Sequence, residues 1–155
     1  MGKSCCVTGH RDIPASQISY VKEELRRLIQ LAIEDGYTHF ISGMAEGTDL
    51  FFAAIVAELK EKNQEITLEA AIPYRKRLDA KDREFQRLIK LCDSTHITAE
   101  TYAKSVYFNR NMYMVSQSER VIAVYDGREK GGTEFTVRYA KTRGREINII
   151  SVERQ

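Results

Sequence analysis

Three turns in this 155-residue chain combine glycine with hydroxyl or cationic side chains, which are residue types that hold phosphate groups. Glycine lets the backbone approach a ligand closely, and the free N–H groups at a helix start bind anions. If the strands before these turns are parallel, all three turns lie at one edge of one sheet. The pattern predicts a nucleotide or phosphate pocket built from Thr8-Gly9-His10-Arg11, Ser42-Gly43-Met44-Ala45-Glu46-Gly47-Thr48-Asp49 and Gly131-Gly132-Thr133.

Each residue type in these turns suggests a role toward an anionic ligand. The glycines and Thr133 are expected to donate hydrogen bonds to phosphate, and Arg11 offers a cationic fork that neutralises it. Arg110 is a further candidate. The helix dipole disfavours a cation near a helix start, so a cation found there favours a functional role. The predicted ligand-binding set is Thr8, Gly9, His10, Arg11, Gly43, Glu46, Gly47, Thr48, Asn109, Arg110, Gly131, Gly132, Thr133 and Thr136.

Purely structural interpretations of the same residues remain open. The glycines between Ser42 and Asp49 are also expected if that turn needs them only for its own geometry, with Thr48 or Asp49 capping the next helix. The basic run 74–77 is also typical of a solvated surface. Neither a P-loop nor a G-x-G-x-x-G motif is present, which disfavours ordinary ATPases and dinucleotide dehydrogenases, and the three histidines lack metal-ligand spacing.

Strand-like and helix-like patterns alternate along the chain and position these turns. Such alternation predicts repeated βαβ units, hence an α/β Rossmann-like three-layer sandwich with a mostly parallel six-stranded sheet in the order 3-2-1-4-5-6. The predicted strands are 4–8, 39–42, 66–72, 94–98, 120–125 and 147–152, and the predicted helices are 18–34, 49–62, 80–92, 106–118 and 132–143.

Length and composition predict one domain over residues 1–155. The chain is 43% hydrophobic with a net charge of +2, which is too small for bulk electrostatics to indicate nucleic-acid binding. No apolar run approaches the about 20 residues of a membrane span, so we expect a cytoplasmic protein without a membrane partner. Helix 49–62 is apolar on all sides in its first half, which requires burial on more than one side, as in a homodimer.

Four segments of the chain resemble the DNA-processing protein A Rossmann domain: Ser42-Gly43-Met44-Ala45-Glu46-Gly47-Thr48-Asp49, Phe108-Asn109-Arg110-Asn111, Arg120-Val121-Ile122-Ala123-Val124 and Gly132-Thr133-Glu134-Phe135-Thr136. With the first turn added, the chain is similar to the small YpsA/YoqJ-type members of the superfamily that joins that protein with the lonely-guy nucleotide hydrolases. The resemblance implies a nucleotide-derived ligand, NAD-like or ADP-ribose-like, in a sensing or regulatory role.

The same resemblance implies two alternative functions. In the hydrolases the motif P-G-G-x-G-T-x-x-E supplies a catalytic glutamate, and Thr136 stands at that position here. A nucleotide N-glycosidase would therefore need Glu46 or Glu134 as its acid/base group, and a binding protein is favoured over an enzyme. Single-stranded DNA is the other implied partner, with Tyr74, Tyr107 and the basic run 75–77 available to it.

Overall fold

The computed structural model describes residues 2–154, in which strands and helices alternate around one sheet. All strand pairings are parallel. The elements are β1 (Lys3–Gly9), α1 (Ile18–Glu34), β2 (Tyr37–Ser42), α2 (Thr48–Lys60), β3 (Thr67–Tyr74), α3 (Arg83–Ile89), β4 (Ser94–Ala99), α4 (Val106–Ser116), β5 (Arg120–Tyr125), α5 (Gly132–Thr142) and β6 (Glu146–Ser151).

Helices cover both faces of the sheet. Successive strand residues point to opposite faces, so the neighbours Cys5 and Cys6 enter two separate apolar cores. Helices α1, α2 and α3 form the larger core with Cys5, and α4 and α5 form the smaller one with Cys6. The predicted Rossmann-like α/β/α sandwich is therefore confirmed.

The place of β4 in the sheet differs from the predicted order 3-2-1-4-5-6. The observed order is β4-β3-β2-β1-β5-β6, so β4 lies at the edge beside β3 and not between β1 and β5. The reason lies in composition, because the polar segment Ser94-Thr95-His96-Ile97-Thr98-Ala99 suits a half-covered edge, whereas the central β5 is almost wholly buried. The chain order reverses between β1 and β5, which places the topological switch point there.

Two helix starts also differ from the expectation. Helix α3 begins at Arg83 because the Asp82 carboxylate accepts hydrogen bonds from the backbone N–H groups of Glu84 and Phe85. Helix α2 begins after Gly47 with no side-chain cap, so the predicted capping by Thr48 or Asp49 is wrong. None of the helices in residues 2–154 is both long and apolar enough to cross a membrane.

Candidate functional site

The first and third predicted turns line one cleft at the switch point. The cleft has a volume of about 410 Å³ and lies where β1 and β5 end and α4 and α5 begin. From the predicted set it gathers Thr8, Gly9, His10, Arg11, Arg110, Gly131, Gly132 and Thr133. All three turns lie at the shared edge, because the strands before them are parallel, and the first and third turns supply more of the cleft lining than the second.

The start of α5 presents backbone N–H groups to this cleft. Gly131 precedes the helix with a φ of 125°, a conformation that glycine adopts without strain, and no side chain caps the helix. The first N–H groups of a helix have no partner within it, and the helix dipole adds partial positive charge there. Gly132 and Thr133 line the cleft at this end, so the arrangement suits an anion.

His10 is held as a buried, neutral side chain beside Asp126. His10 Nε2 lies 3.1 Å from the backbone nitrogen of Asp126, whose N–H donates to it, and 3.1 Å from Asp126 Oδ1. Burial lowers the pKa of His10 despite the nearby Asp126 carboxylate. That carboxylate is in turn held by Arg128, whose hydrogen bonds lower the pKa of Asp126 well below its usual value. His10 therefore lines the cleft as an uncharged polar side chain.

Arg11 supplies the exposed cation of the cleft. Its guanidinium lies 5.6 Å from the centre of the Tyr107 ring, on the border between the cleft and a small recess beside it. A guanidinium held only by a cation–π contact can reorient toward a phosphate at low cost. Arg11 therefore lines the cleft, and its role toward a phosphate stays a prediction.

The second turn supports the first turn from behind and offers few groups to the cleft. Its own side chains take its amides, since Met44 N–H donates to Ser42 Oγ at 3.1 Å and Ala45 N–H donates to Asp49 Oδ2 at 3.2 Å. Thr48 Oγ1 donates to the carbonyl of His10 at 2.9 Å. This loop contributes Ala45 and Asp49 to the lining of the cleft, whereas Gly43 lines only the small recess.

Close approach explains both glycines of the second turn. A Cβ on Gly47 would lie 2.6 Å from the carbonyl oxygen of Arg11. A Cβ on Gly43 would lie 2.7 Å from Arg110 Nη1 and 2.8 Å from Asp49 Oδ2. These glycines therefore let the second turn pack against the first turn and against a buried charged pair.

Arg110 is a buried anchor at the back of the cleft. It is 4% exposed, and its Nη1 donates to the carbonyls of Gly43 at 2.7 Å and Ala71 at 3.2 Å, tying β2 to β3. Burial raises the pKa of Asp49, and the positive charge of Arg110 opposes that rise. The guanidinium faces the cleft but is already committed to protein acceptors.

Several predicted residues lie outside the cleft lining. Asn109 is exposed and donates to Ser105 Oγ, whereas Asn111 lines the cleft in its place. Thr136 is fully buried and donates to the carbonyl of Gly132 at 2.8 Å. Of the two glutamates proposed for hydrolysis, Glu46 faces a groove on the α1–α2–α3 side, and Glu134 accepts from Arg138 Nε at 3.0 Å.

Sequence reasoning missed the pair Asp126–Arg128. Arg128 Nη2 lies 2.6 Å from Asp126 Oδ2, and the carbonyl of Arg128 accepts from the Tyr125 hydroxyl, which fixes the loop between β5 and α5. A signal for Asp126 existed, because polar side chains directly after a central parallel strand lie at the ligand-binding edge. No local pattern identifies Arg128 as its partner.

Comparison with known proteins identifies relatives over nearly the whole chain. The model of the YpsA family, described as the YspA SLOG family, matches residues 5–154. A UPF0398 protein of Bacillus thuringiensis (strain Al Hakam) is 26% identical over 141 residues, covering 86% of this chain and 76% of the relative. The family resemblance predicted from the motifs is therefore confirmed.

Two solved structures of DNA processing protein A share the fold. The Streptococcus pneumoniae protein matches with a TM-score of 0.68 at 19% identity, covering 96% of this chain and 50% of its own. The Helicobacter pylori protein, described by its single-stranded DNA binding mode, matches with a TM-score of 0.68 at 16% identity, covering 95% of this chain and 64% of its own. The chain thus spans between half and two thirds of those proteins, and at these identities the likeness shows the fold.

Proposed function

The chain belongs to the YpsA (YspA SLOG) family, and on that premise we propose that its cleft binds the phosphate of a nucleotide-derived ligand. An NAD-like or ADP-ribose-like compound fits this proposal, with sensing or regulation as the role. The observation that carries it is the convergence of the glycine turn after β1 and the glycine turn that opens α5 on one cleft of about 410 Å³.

The charges around the cleft favour an anion. Arg11 and the α5 dipole contribute positive potential. Asp126, the carboxylate closest to His10, is neutralised by Arg128. The amides at the start of α5 then act as donors that need no protonation event. Phosphate binding should therefore persist above neutral pH.

The size and lining of the cleft favour a nucleotide over inorganic phosphate. Small-molecule sites have volumes of about 300–1,000 Å³, and this cleft falls within that range. Tyr107 and Phe108 contribute aromatic rings to the lining, and Phe108 is 43% exposed. An exposed ring beside a phosphate site gives a base a surface on which to stack.

A thermal-shift panel of NAD, ADP-ribose and AMP tests this proposal. A ligand at 100 times its dissociation constant stabilises the folded state by about 2.7 kcal/mol, which raises the melting temperature by about 5–10 °C in a chain of this size. We expect at least one compound to act in this way, and Arg11→Gln to reduce the shift. The matched control is Lys141→Gln, which removes an exposed cation on α5 away from the cleft. An unchanged melting temperature with every compound would contradict the proposal.

Single-stranded DNA is a second candidate, because an aromatic and cationic ridge continues from the cleft. Phe108 packs edge-on against Phe135 with 4.8 Å between the ring centres, and Phe135 stacks with Tyr139 with 6.1 Å between the ring centres. Arg138 and Arg143 lie over the last two rings at 5.6 and 5.8 Å. Rings interleaved with cations are typical of surfaces that bind unpaired bases.

Fluorescence polarisation with a labelled oligothymidine tests the second candidate. Binding should weaken steeply with salt and should be reduced by Arg138→Gln combined with Arg143→Gln. Binding that is absent, or that ignores salt and both substitutions, would exclude the ridge as a DNA surface. The basic run 75–77 is a second cationic surface, in which Glu100 binds Arg75 at 2.7 Å just as Glu134 binds Arg138 of the ridge at 3.0 Å.

A further inference from the structure

Three arginines converge where the cleft borders the small recess. The guanidiniums of Arg11 and Arg110 lie 5.6 and 5.7 Å from the centre of the same Tyr107 ring. Arg77, in the short helical turn that follows β3, lines the recess together with both of them. The three residues come from the turn after β1, the turn after β3 and helix α4. The fold therefore brings these cations together, and no single basic run of the sequence does so.

The three arginines have fewer negative charges beside them than positive charges of their own. Asp49 is the carboxylate that faces Arg110 and Arg11. The ion pairs within residues 2–154 involve other cations, so neither Arg11 nor Arg77 has a carboxylate partner in that part of the chain. Burial lowers the pKa of Arg110, Asp49 opposes this effect, and the like charges of Arg11 and Arg77 add to it. Three guanidiniums and one carboxylate leave a net charge of +2.

The other charged residues around the cleft do not cancel this excess. Arg128 Nη2 lies 2.6 Å from Asp126 Oδ2 and 3.7 Å from Asp12 Oδ1, so this second group has a net charge of −1. Its one cation is already engaged by carboxylates, whereas the guanidiniums of the first group are not. Positive potential is therefore concentrated at the three arginines, and an anion in the cleft is attracted toward them.

One side chain connects the three arginines with the start of α5. Asn111 Oδ1 accepts a hydrogen bond from Arg110 Nε at 2.8 Å, and Asn111 Nδ2 lies 4.0 Å from the position that a Cβ on Gly132 would take. Arg11, Asn111 and Gly132 all line the same cleft. The two places that attract an anion are thus separated by about the reach of one amide side chain, which is short enough for two linked phosphates to occupy both.

We propose that Arg11 and Arg77 form a second anion subsite, so that the cleft takes two linked phosphates, as in a nucleoside diphosphate or a dinucleotide joined by pyrophosphate. This inference rests on the proposed function, in which the start of α5 binds the first phosphate. The recess has a volume of about 10 Å³, which is too small for a phosphate, so the second phosphate lies at its mouth within the cleft. Arg110 contributes its charge there, since its N–H groups already donate to protein acceptors. Arg77 lines the recess and not the cleft, so it is the residue that distinguishes a diphosphate from a monophosphate.

Isothermal titration of the full chain with ADP and with AMP tests the second subsite. The two compounds share base and ribose, so the ratio of their affinities measures the second phosphate alone. We expect ADP to bind at least about tenfold more tightly than AMP, because a guanidinium that donates to a phosphate forms a charge-assisted hydrogen bond. Inorganic pyrophosphate against inorganic phosphate repeats the comparison without a base. A chelator is present throughout, because Mg²⁺ binds diphosphates and neutralises them.

The outcomes separate this inference from the proposed function. Equal affinities for AMP and ADP, with both compounds bound, would overturn the second subsite and leave the proposed function in place. Absence of binding by all four compounds would contradict the proposed function and the second subsite together.

A pair of neighbouring substitutions locates the effect at Arg77. Arg77→Gln should lower the ratio of ADP affinity to AMP affinity at least about fivefold, and Arg77→Lys, which keeps the charge but not the fork, should retain part of it. Lys76→Gln is the matched control, because Lys76 is an exposed cation outside both the cleft and the recess. Urea unfolding of each variant shows that the fold is retained. A ratio that ignores Arg77→Gln, or that falls equally with Lys76→Gln, would overturn the proposal.

Discussion

Replacing Arg110 with methionine should destabilise the protein strongly, although sequence reasoning assigned this residue to the ligand. The guanidinium is 4% exposed and donates to two backbone carbonyls, those of Gly43 and Ala71. Its Nε also donates to Asn111 Oδ1 at 2.8 Å, so its loss removes three charge-assisted hydrogen bonds and the cation that opposes the buried charge of Asp49. Removing one member of such a buried arrangement costs about 3–5 kcal/mol, or about 6–20 °C in melting temperature for a chain of this size.

A double-mutant cycle with Asp49→Asn measures the part of this cost that is electrostatic. Gly43 lies between the two side chains, since a Cβ there would be under 3 Å from both Arg110 Nη1 and Asp49 Oδ2. We expect the double variant to be more stable than the sum of the single losses predicts, by about 1 kcal/mol or more. Urea unfolding at neutral pH gives the four free energies. A loss below about 1 kcal/mol for Arg110→Met, or strict additivity, would refute the role of Arg110 as a buried anchor.

Three further outcomes follow from the geometry. Gly9→Ala should cost about 1–3 kcal/mol of stability in urea unfolding, because its Cβ would lie 2.4 Å from Thr48 Cγ2, whereas Gly132→Ala, with its nearest atom at 4.0 Å, is the control that should show no loss. Burial lowers the pKa of His10 from 6.5, so the unfolded chain takes up this proton first on acidification. The free energy of unfolding of the wild type should thus fall by up to about 1.4 kcal/mol per pH unit below about pH 6.5. Equal pH slopes of this free energy for wild type and His10→Gln would contradict this. Because Glu46 and Glu134 lie outside the cleft lining, we expect NAD and AMP to remain intact during long incubation, and release of free base, measured by chromatography, would show the opposite.

Local periodicity was sufficient to predict the elements but not the position of every strand. The apolar stripe of residues 18–34 predicted α1 with its observed bounds. Strand order depends on long-range pairing, so the position of β4 could not be read from spacing. Its polar composition, Ser94-Thr95-His96 at the start, was nevertheless a signal for an edge strand.

The candidate site was predictable where backbone geometry defines it and less so where side chains pair over long range. The turns after β1 and β5 follow from the rule that ligands bind where strands end. The role of Arg110 was readable, because Val106, Arg110 and Met114 recur every four residues and share the buried face of α4. The bond from Thr48 to the carbonyl of His10 joins residues 38 positions apart, and no local pattern predicts it.

Phosphate binding at the start of α5 is the central claim, and isothermal titration of the best compound from the ligand panel into two variants tests it most directly. Gly132 has no neighbour within ordinary contact distance except Asn111 Nδ2 at 4.0 Å, so Asp and Asn both fit there. The two side chains have the same shape, and an acidic residue is compatible with a helix start.

A carboxylate about 4 Å from a bound phosphate raises the free energy of binding by about 1–4 kcal/mol. Gly132→Asp should therefore weaken binding by about fivefold or more relative to Gly132→Asn, with both variants equally stable in the absence of ligand. Equal affinities for the two variants would show that the ligand's phosphate does not lie at the start of α5, and would contradict the account.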